Sequence, residues 1–232
     1  MTDDERSRVE RVYAAYDTSA AHGRKWNSER PGNAYLHAER LALQRRVLQE
    51  EGLLPLAGKR ILDVGCGSGD ELARLCADGA SPTLCFGIDL LSSRVEAARA
   101  AHPEMQFACG DARSLPFADG TFDLVSAHVV FSSILDRGVA AAVAAEMRRV
   151  LAPGGAILWR DQRLPNPLNR NVRAYRAADL ARLFPGSRIR LDAHAPLPPL
   201  TRAVGAVAPP LLPLLARLPF LHAHYLAVIR AP

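Results

Sequence analysis

A glycine-rich turn between two hydrophobic segments constrains the fold of this chain more than any other feature. Residues Ile61 to Leu72 read ILDVGCGSGDEL, in which a short apolar run meets a turn and then a helix-forming sequence. The apolar run predicts a buried strand, and glycines in the turn allow close backbone approaches that other residues resist. Strand, glycine turn and helix in this order are typical of the first unit of a parallel α/β sheet, with a ligand over the turn.

Local signals also define the helices beside this turn. Ser68 and Glu71 have the spacing of a capping box, and Gly79 is placed to end the helix. Ser93 and Glu96 have the same spacing and predict a second capped helix. We therefore expect both helices to begin with side-chain caps.

An acidic residue ends the second apolar run, LCFGID, at Asp89, which lies 20 residues beyond Gly69. In nucleoside-binding folds, an acid at about that distance accepts hydrogen bonds from ribose hydroxyls. The glycines follow G-x-G-x-G rather than the dinucleotide pattern G-x-G-x-x-G, and Asp63 precedes them on the strand. A carboxylate facing the turn suits an ammonium group better than a pyrophosphate. S-adenosylmethionine combines an ammonium, a carboxylate and a nucleoside, and it has no phosphate.

With the segments that follow, these motifs resemble class I S-adenosylmethionine-dependent methyltransferases, of the small bacterial type similar to quinone-biosynthesis methyltransferases. The resemblance covers Lys59 to Asp161 and includes CGDARSLPF, FDLVSAHVVFSSIL and EMRRVLAPGGAILWRD. It implies a Rossmann-like, doubly wound α/β sheet of seven strands, with the last strand antiparallel. It also implies S-adenosylmethionine as the cofactor and S-adenosylhomocysteine as its product.

The resemblance assigns cofactor-binding roles by position. The glycine turn would hold the methionine part, with Asp63 near its amino group. Asp89 and Leu90 would bind the ribose, and Asp111 and Ala112 would contact the adenine. The complete predicted set is Asp63, Gly65, Cys66, Gly67, Gly69, Asp89, Leu90, Asp111, Ala112 and His128.

Two residues are candidates for assisting the reaction. Ligands in doubly wound folds sit beyond the carboxyl ends of the strands, where His128 follows strand four and Asp161 follows strand five. His128 is suited to act as a general base, whereas Asp161 or the neighbouring Arg160 could orient an acceptor. Methyl transfer from a sulfonium chiefly needs an aligned nucleophile, so positioning alone is the alternative. His224 and Tyr225 are further candidates.

The chain divides into an N-terminal helical segment, residues 1–58, and a methyltransferase domain, residues 59–232. The first contains predicted helices over 3–21 and 35–51, and such additions often form a lid in class I enzymes. Its candidates for covering the ligands are Tyr13, Tyr16, Trp26 and His37, although ordinary packing also explains the three aromatic residues. Strands are predicted near 60–65, 84–89, 105–109, 122–127, 155–160, 188–193 and 224–230, and further helices over 138–151 and 175–184.

Residues 195–221 form an insertion rich in proline and leucine between the last two predicted strands. Pro209, Pro210, Pro213 and Arg217 interrupt its apolar run, so the segment is too broken to span a bilayer. We expect short apolar helices that cover the acceptor pocket. Peripheral contact with a membrane or a lipid-linked acceptor and a dimer interface are the alternatives.

Composition argues against several other classes of protein. With 232 residues, 49% of them hydrophobic, the chain can form a single globular core. Its formal charge of +5 comes from scattered arginines, so no nucleic-acid partner is predicted. The four cysteines show no C-x-x-C pair and all lie in predicted buried elements, which indicates neither a disulfide framework nor a metal site. The charged N-terminus lacks an apolar signal core, and a cytoplasmic monomer or homodimer is expected.

The sequence therefore predicts a methyltransferase that acts on oxygen or nitrogen of a small-molecule acceptor, such as a metabolite, sugar or natural product. The stretch SAHVVF after strand four lacks the Asn-Pro-Pro-Tyr or Asp-Pro-Pro-Tyr signature, which argues against methylation of a nucleobase amine. The alternatives are a quinone-type or lipid-linked acceptor, a non-catalytic cofactor-binding regulator and a nicotinamide-dependent oxidoreductase.

Overall fold

The computed structural model describes residues 3–18, 25, 27–167 and 169–230 of the chain. Its strands are β1 (Ile61–Val64), β2 (Cys85–Asp89), β3 (Gln106–Cys109), β4 (Phe122–His128), β5 (Leu151–Gln162), β6 (Arg188–Pro196) and β7 (His222–Arg230). They form one sheet of seven strands in the order β3-β2-β1-β4-β5-β7-β6. Strands β1 to β5 are parallel, and β7 runs antiparallel to both β5 and β6. The predicted doubly wound sheet with an antiparallel last strand is confirmed.

The helices of the described residues are α1 (Asp3–Thr18), α2 (Pro31–Glu50), α3 (Asp70–Ala77), α4 (Ser92–Ala101), α5 (Arg137–Arg149), α6 (Ala177–Leu183), α7 (Pro198–Val207) and α8 (Leu212–Leu215). Short 3-10 turns occur at 82–84, 131–133, 209–211 and 219–221. Among these helices, none combines the length and the apolar character that crossing a membrane requires.

Both faces of the sheet are covered by apolar side chains. Leu62 and Val64 of β1 belong to one buried layer, whereas Ile61 belongs to the layer on the other side. This alternation follows from the geometry of a strand, in which successive side chains point to opposite faces. Because helices cover both faces, the parallel strands are nearly continuous apolar runs, which is how they are recognised in the sequence.

The two predicted capping boxes do not form. Helix α3 begins after Gly69, which has a left-handed conformation and no side chain to cap with, while the Ser68 hydroxyl donates to the Asp70 carboxylate at 2.9 Å. Helix α4 begins after Leu91, again with no side-chain cap. There the Asp89 carboxylate accepts the Leu91 N–H at 2.9 Å, so the residue predicted to bind ribose also shapes the start of the helix.

Three further expectations are corrected by local structure. Helix α2 begins at Pro31, four residues earlier than predicted, because proline at a first helical position sacrifices only an N–H that would be unpaired anyway. Strand β5 begins at Leu151, so the Pro-Gly-Gly turn lies within the strand as an irregularity in its pairing with β4. Cys109 is exposed rather than buried, because it is the last residue of the edge strand β3.

Helices α2 and α7 pack closely through two glycines. A Cβ atom on Gly205 would lie 2.5 Å from the Gly32 nitrogen, and one on Gly32 would lie 2.5 Å from the Thr201 carbonyl oxygen. The proline- and leucine-rich insertion therefore packs directly on the N-terminal helical segment. The division of the chain at residue 58 remains a prediction.

Replacing Gly205 with alanine should destabilise the protein, although alanine favours a helix by about 1 kcal/mol over glycine. The added methyl group would overlap the backbone of α2, and overpacking of this kind typically costs about 1–3 kcal/mol. We expect urea unfolding to show a lower free energy of unfolding for Gly205→Ala than for the wild type. Ala206→Ser, at an exposed position of the same helix, is the control. A more stable Gly205→Ala protein would contradict the close packing.

Candidate functional site

A cavity of about 330 Å³ lies beyond the carboxyl ends of the parallel strands; we refer to it as the first cavity. Residues from the ends of β1, β2, β3 and β4 meet there although they are distant in the sequence. Of the predicted cofactor-binding residues, six line it: Gly65, Asp89, Leu90, Asp111, Ala112 and His128. The topology of the sheet thus collects most of the predicted site in one place.

Gly65 has no room for a side chain. Its φ angle of +72° belongs to the left-handed region, and a Cβ atom there would lie 2.5 Å from Cγ2 of Val130, which also lines the first cavity. The N–H groups of Gly65 and Cys66 donate to the Ile88 carbonyl oxygen at 2.8 and 3.1 Å. The turn is therefore fixed to β2 with bare backbone at the cavity wall.

The other residues of the turn do not line the first cavity. The Cys66 sulfur lies against Gly87, and Gly69 packs beside Phe107. The N–H of Gly67 donates to the Asp89 carboxylate at 2.9 Å. These residues shape the turn, whereas their predicted contact with a cofactor remains a prediction.

The carboxylates of Asp89 and Asp111 are fixed by hydrogen bonds and an ion pair with neighbouring protein groups. Each carboxylate oxygen of Asp89 accepts one backbone N–H, from Gly67 or from Leu91, at 2.9 Å. A carboxylate has about four lone-pair positions, so Asp89 can still accept hydrogen bonds from ligand hydroxyls. Asp111 pairs with the Arg113 guanidinium at 2.7 Å, which orients it at the cavity wall.

Asp63 lies within β1 and outside the wall of the first cavity. Its side chain is buried, and its carboxyl accepts a hydrogen bond from the Ser126 hydroxyl at 2.6 Å. Burial raises the pKa of Asp63 to about 8 although the Ser126 hydrogen bond opposes this. Asp63 thus lies within the sheet, two residues before Gly65, and does not line the first cavity.

His128 forms part of a buried polar network around Glu71. One Glu71 oxygen accepts from Gln44 at 2.6 Å, and the other lies 2.9 Å from Arg40 and 3.1 Å from Nδ1 of His128. The Glu71 side chain is only 7% exposed, so it depends on these donors in place of water. The network joins α2, α3 and the end of β4.

The protonation state of His128 follows from this environment. Burial lowers the pKa of His128 although the Glu71 carboxylate opposes this. Burial alone would raise the pKa of Glu71, but its contacts with His128, Arg40 and Gln44 hold it below its usual range. A neutral imidazole beside an ionised carboxylate carries its proton on Nδ1. Nε2, which has no hydrogen-bond partner among the described residues, then presents a lone pair.

Asp161 is fully buried and lines neither of the two cavities of this site. Its two oxygens accept the backbone N–H groups of Ser132 and Gln162, both at 2.8 Å. Burial raises the pKa of Asp161 to about 6 against these hydrogen bonds. The carboxyl group is thus bound to the backbone of the 131–133 turn and of Gln162, and its catalytic role remains a prediction.

Helix α1 covers the first cavity. Glu5, Val9 and Tyr13 line it, and the Tyr13 hydroxyl lies 2.7 Å from the hydroxyl oxygen of Ser133. Tyr16 instead accepts a hydrogen bond from the side-chain amide of Asn169 at 2.8 Å. Tyr13 is thus placed as a lid residue would be.

A second cavity of about 320 Å³ lies between α2, α7 and the ends of β5 and β7. It shares Val129 with the first cavity. Its wall consists of Ser28, Asn33, Leu36, His37, Arg40, Val129, Arg160, Gln162, Ala195, Pro198 and His224. Three of the predicted candidates, His37, Arg160 and His224, are therefore found here. Tyr225 lines neither cavity, and Trp26 lies outside the described residues.

The importance of Arg40, Gln44 and Val129 was not predicted from the sequence, and Glu71 was interpreted only as a helix cap. Arg40 and Gln44 are four residues apart on α2, a spacing that is equally common on exposed helix faces. Val129 has a φ of +59°, which a β-branched residue rarely adopts and no sequence pattern indicates. Only tertiary structure reveals these four residues.

Comparisons with known proteins agree with this geometry. Residues 61–155 match a family model described as a methyltransferase domain. A demethylmenaquinone methyltransferase of Beutenbergia cavernae is 38% identical over 117 residues, 50% of this chain and 45% of that protein. A 27-O-demethylrifamycin SV methyltransferase of Amycolatopsis mediterranei is 34% identical over 139 residues, 56% of this chain and 49% of that protein. The chain thus spans about half the length of the curated relatives it matches.

Solved structures extend the likeness to the whole fold. The complex of the Haloferax volcanii Trm112 methyltransferase activator with a putative methyltransferase contains a chain with a TM-score of 0.61 and 21% identity, covering 94% of this chain and 97% of that one. A SAM-dependent methyltransferase from Methanosarcina mazei has a TM-score of 0.54 and 18% identity, covering 75% and 92%. Sequence and fold together show that this chain contains a methyltransferase domain of the class I S-adenosylmethionine-dependent family.

Proposed function

We propose that this chain binds S-adenosylmethionine in the first cavity and transfers its methyl group to an oxygen or nitrogen of a small molecule in the second cavity. The observation that supports this most directly is that Val129, the residue after His128, lines both cavities. Curated relatives named for a demethylmenaquinone, a rifamycin and a fatty acid also favour a small-molecule acceptor.

The residues of the first cavity fit this cofactor. Asp89 retains acceptor capacity for ribose hydroxyls. Asp111 and Ala112 line the same cavity, and we assign them to the adenine. Bare backbone at Gly65 leaves space for the methionine part at the end of β1. The sulfonium of the cofactor supplies a methyl group that is already activated, so alignment and exclusion of water are the protein's main tasks.

His128 is the residue best placed to accept a proton from the acceptor. Glu71 binds Nδ1 and thereby leaves the Nε2 lone pair available. A hydroxyl acceptor must lose its proton as it attacks, and an ammonium must lose one before its nitrogen can attack. A positioned general base typically contributes about 10²–10⁴-fold in rate. Positioning by the two cavities supplies the rest of the acceleration in this proposal.

The exposed part of the insertion supports a second candidate, a quinone-type or lipid-linked acceptor. Val207 is 83% exposed, Phe220 68% and Leu214 53%. Pro198, at the start of the same insertion, lines the second cavity. An apolar acceptor bound to a membrane would contact these side chains on its way into the cavity. Faster turnover of vesicle-embedded than of dispersed acceptors would favour this candidate.

Asp89→Ala should weaken binding of S-adenosylhomocysteine. Loss of hydrogen bonds to an ionised carboxylate costs about 1.5–3 kcal/mol of binding free energy, which corresponds to roughly 10- to 100-fold in affinity. Isothermal titration calorimetry gives the affinity directly. Asp119→Ala, which removes a carboxylate that is 81% exposed, is the matched control. The cofactor assignment fails if Asp89→Ala binds as tightly as the control, or if the wild type binds NAD and not S-adenosylhomocysteine.

Asp63→Asn should flatten the dependence of stability on pH. Because the folded pKa of Asp63 is raised to about 8, its favourable contribution is complete below pH about 4 and is lost as the pH rises towards 8. The wild type should therefore lose up to about 1.4 kcal/mol per pH unit relative to Asp63→Asn in this window. Melting temperatures between pH 5 and 8 measure the difference.

The same series of melting temperatures tests whether the Asp63 carboxylate lies close to the ammonium group of the cofactor. A positive charge close to the carboxyl would favour its ionised form, so saturating S-adenosylhomocysteine should reduce the pH slope of the wild type. An unchanged slope would mean that Asp63 has only a structural role. Equal slopes of the two apo proteins would contradict the raised pKa itself.

His128→Gln should lower kcat by about 10²–10⁴-fold with any hydroxyl or amine acceptor found by screening. The rate of the wild type should also fall at acidic pH, where the imidazole is protonated, and this limb should disappear in the variant. Glu71→Gln removes the charge but keeps a group able to bind Nδ1, so its loss should be smaller. Full activity of His128→Gln would leave positioning as the whole mechanism, and no turnover over a broad acceptor panel would favour a regulator.

A further inference from the structure

We propose that the second cavity binds the carboxylate of the acceptor through Arg160, and that this carboxylate is an anchor rather than the methylated group. This inference rests on the proposed function, whose acceptor it specifies as a small, largely apolar monocarboxylate. The proposal is carried by the charges and unpaired polar atoms of the cavity wall.

Arg160 forms no close ion pair with another described residue. Its guanidinium lines the second cavity, and no described carboxylate lies within 4.0 Å of it. Its Nε atom is shielded from solvent and has no hydrogen-bond partner among the described residues. Burial lowers the pKa of Arg160 to about 10, which still leaves the group charged at neutral pH. A shielded charge of this kind is unfavourable until an anion binds.

The neighbouring carboxylates are engaged elsewhere. Glu39 accepts the backbone N–H of Ala195 at 3.1 Å, and Asp161 accepts two backbone N–H groups. Glu71 lies 2.9 Å from Arg40, the other arginine of the cavity wall. Arg40 is thus paired with a carboxylate, whereas Arg160 has none within 4.0 Å among the described residues.

The histidines of the wall add no further charge at neutral pH. Burial lowers the pKa of His37 and, more strongly, that of His224. A single guanidinium without an ion-pair partner matches the one negative charge of a carboxylate better than the two charges of a phosphate dianion. A guanidinium also has the planar geometry that binds a carboxylate through two parallel hydrogen bonds.

The rest of the wall favours an apolar acceptor. Leu36, Val129, Ala195 and Pro198 supply the aliphatic surface of a cavity of about 320 Å³. Arg160 and His128 are paired neighbours in the register of β5 and β4. An acceptor anchored at Arg160 therefore lies near Val129, which follows His128 in the chain and lines both cavities.

The anchor role follows from the chemistry of the two neighbours. A guanidinium stabilises the carboxylate charge and so reduces its reactivity as a nucleophile. A carboxylate also carries no proton for His128 to accept, whereas a hydroxyl or ammonium does. The combination of Arg160 and His128 thus fits an acceptor with one anionic group to hold and a separate protic group to methylate.

Paired probes test the carboxylate site. Calorimetry in saturating S-adenosylhomocysteine would compare 4-hydroxybenzoate with 4-hydroxybenzamide, hexanoate with hexanamide, and inorganic phosphate. We expect the carboxylates to bind and the amides to bind at least about tenfold more weakly. Equal binding of acids and amides, no binding of either acid, or binding of phosphate alone would overturn the proposal.

Variants of Arg160 link this preference to the residue. Arg160→Gln should remove the preference for carboxylates over amides. Arg160→Lys should retain this preference but bind the carboxylates more weakly, because a lysine cannot form the paired hydrogen bonds. Arg182→Gln, on a side chain that is 73% exposed on α6, is the control and should bind like the wild type. Unchanged carboxylate binding by the Arg160→Gln variant would refute the carboxylate site. Formation of a methyl ester with S-adenosylmethionine would refute the anchor role of the carboxylate.

Two readouts separate this proposal from misfolding and from failure of the proposed function. Arg160→Gln removes an unpaired charge, so its melting temperature should not fall and its affinity for S-adenosylhomocysteine should stay at the wild-type value. If the wild type does not bind S-adenosylhomocysteine, the proposed function fails. The preference for acids over amides, measured without cofactor, would still decide whether Arg160 forms a carboxylate site.

Discussion

The buried Glu71 carboxylate is the interaction on which the site depends. It receives donors from α2 and from the end of β4 while it belongs to the first turn of α3. Removing an ion from water costs several kcal/mol, so such a group is tolerated only when its partners are all in place. Helix α2, the start of α3 after the glycine turn, and His128 are thereby required to fold into one arrangement.

This network also separates two kinds of environment on the same side of the sheet. The first cavity is lined by the acids Asp89 and Asp111, each already fixed by its own donors. The second cavity is lined by cationic and neutral groups, among them Arg160 and His224. Val129, with its unusual backbone conformation, lies in the wall of both. Opposite electrostatic character on the two sides would keep a cationic cofactor and an anionic acceptor in their own places.

Sequence patterns predicted the parts of the fold that depend on local physics. The β1 strand and its glycine turn follow from burial on both faces and from the conformation required at Gly65. The predictions of capping boxes at Ser68 and Ser93 were wrong. The spacing of a capping box does not indicate the backbone conformation of the turn that precedes the helix. The sequence likewise did not indicate that the Asp161 carboxyl binds the Ser132 backbone, since a side chain at a strand end can face either a ligand or a neighbouring backbone.

The polar network was beyond prediction for a different reason. Glu71 and His128 are 57 residues apart in the sequence, and only the assembled sheet brings them to 3.1 Å. Polar residues are usually exposed, so the sequence alone gives no cause to bury Arg40 or Gln44. Where such groups are buried, the reason is the set of partners that the fold supplies, and function is often found there.

The antiparallel pairing of β6 with β7 has a consequence for how this protein can diversify. Pro196 and His222 face each other in the register, so the chain leaves the sheet and returns to it at the same point. Residues 197–221, which include α7 and the exposed leucines, connect these two positions, and the sheet does not fix the length of this connection. Mutation and insertion can therefore remodel the part of the second cavity's wall that this segment supplies without shifting a strand, and under the proposed function this would change the acceptor site while the first cavity stays constant.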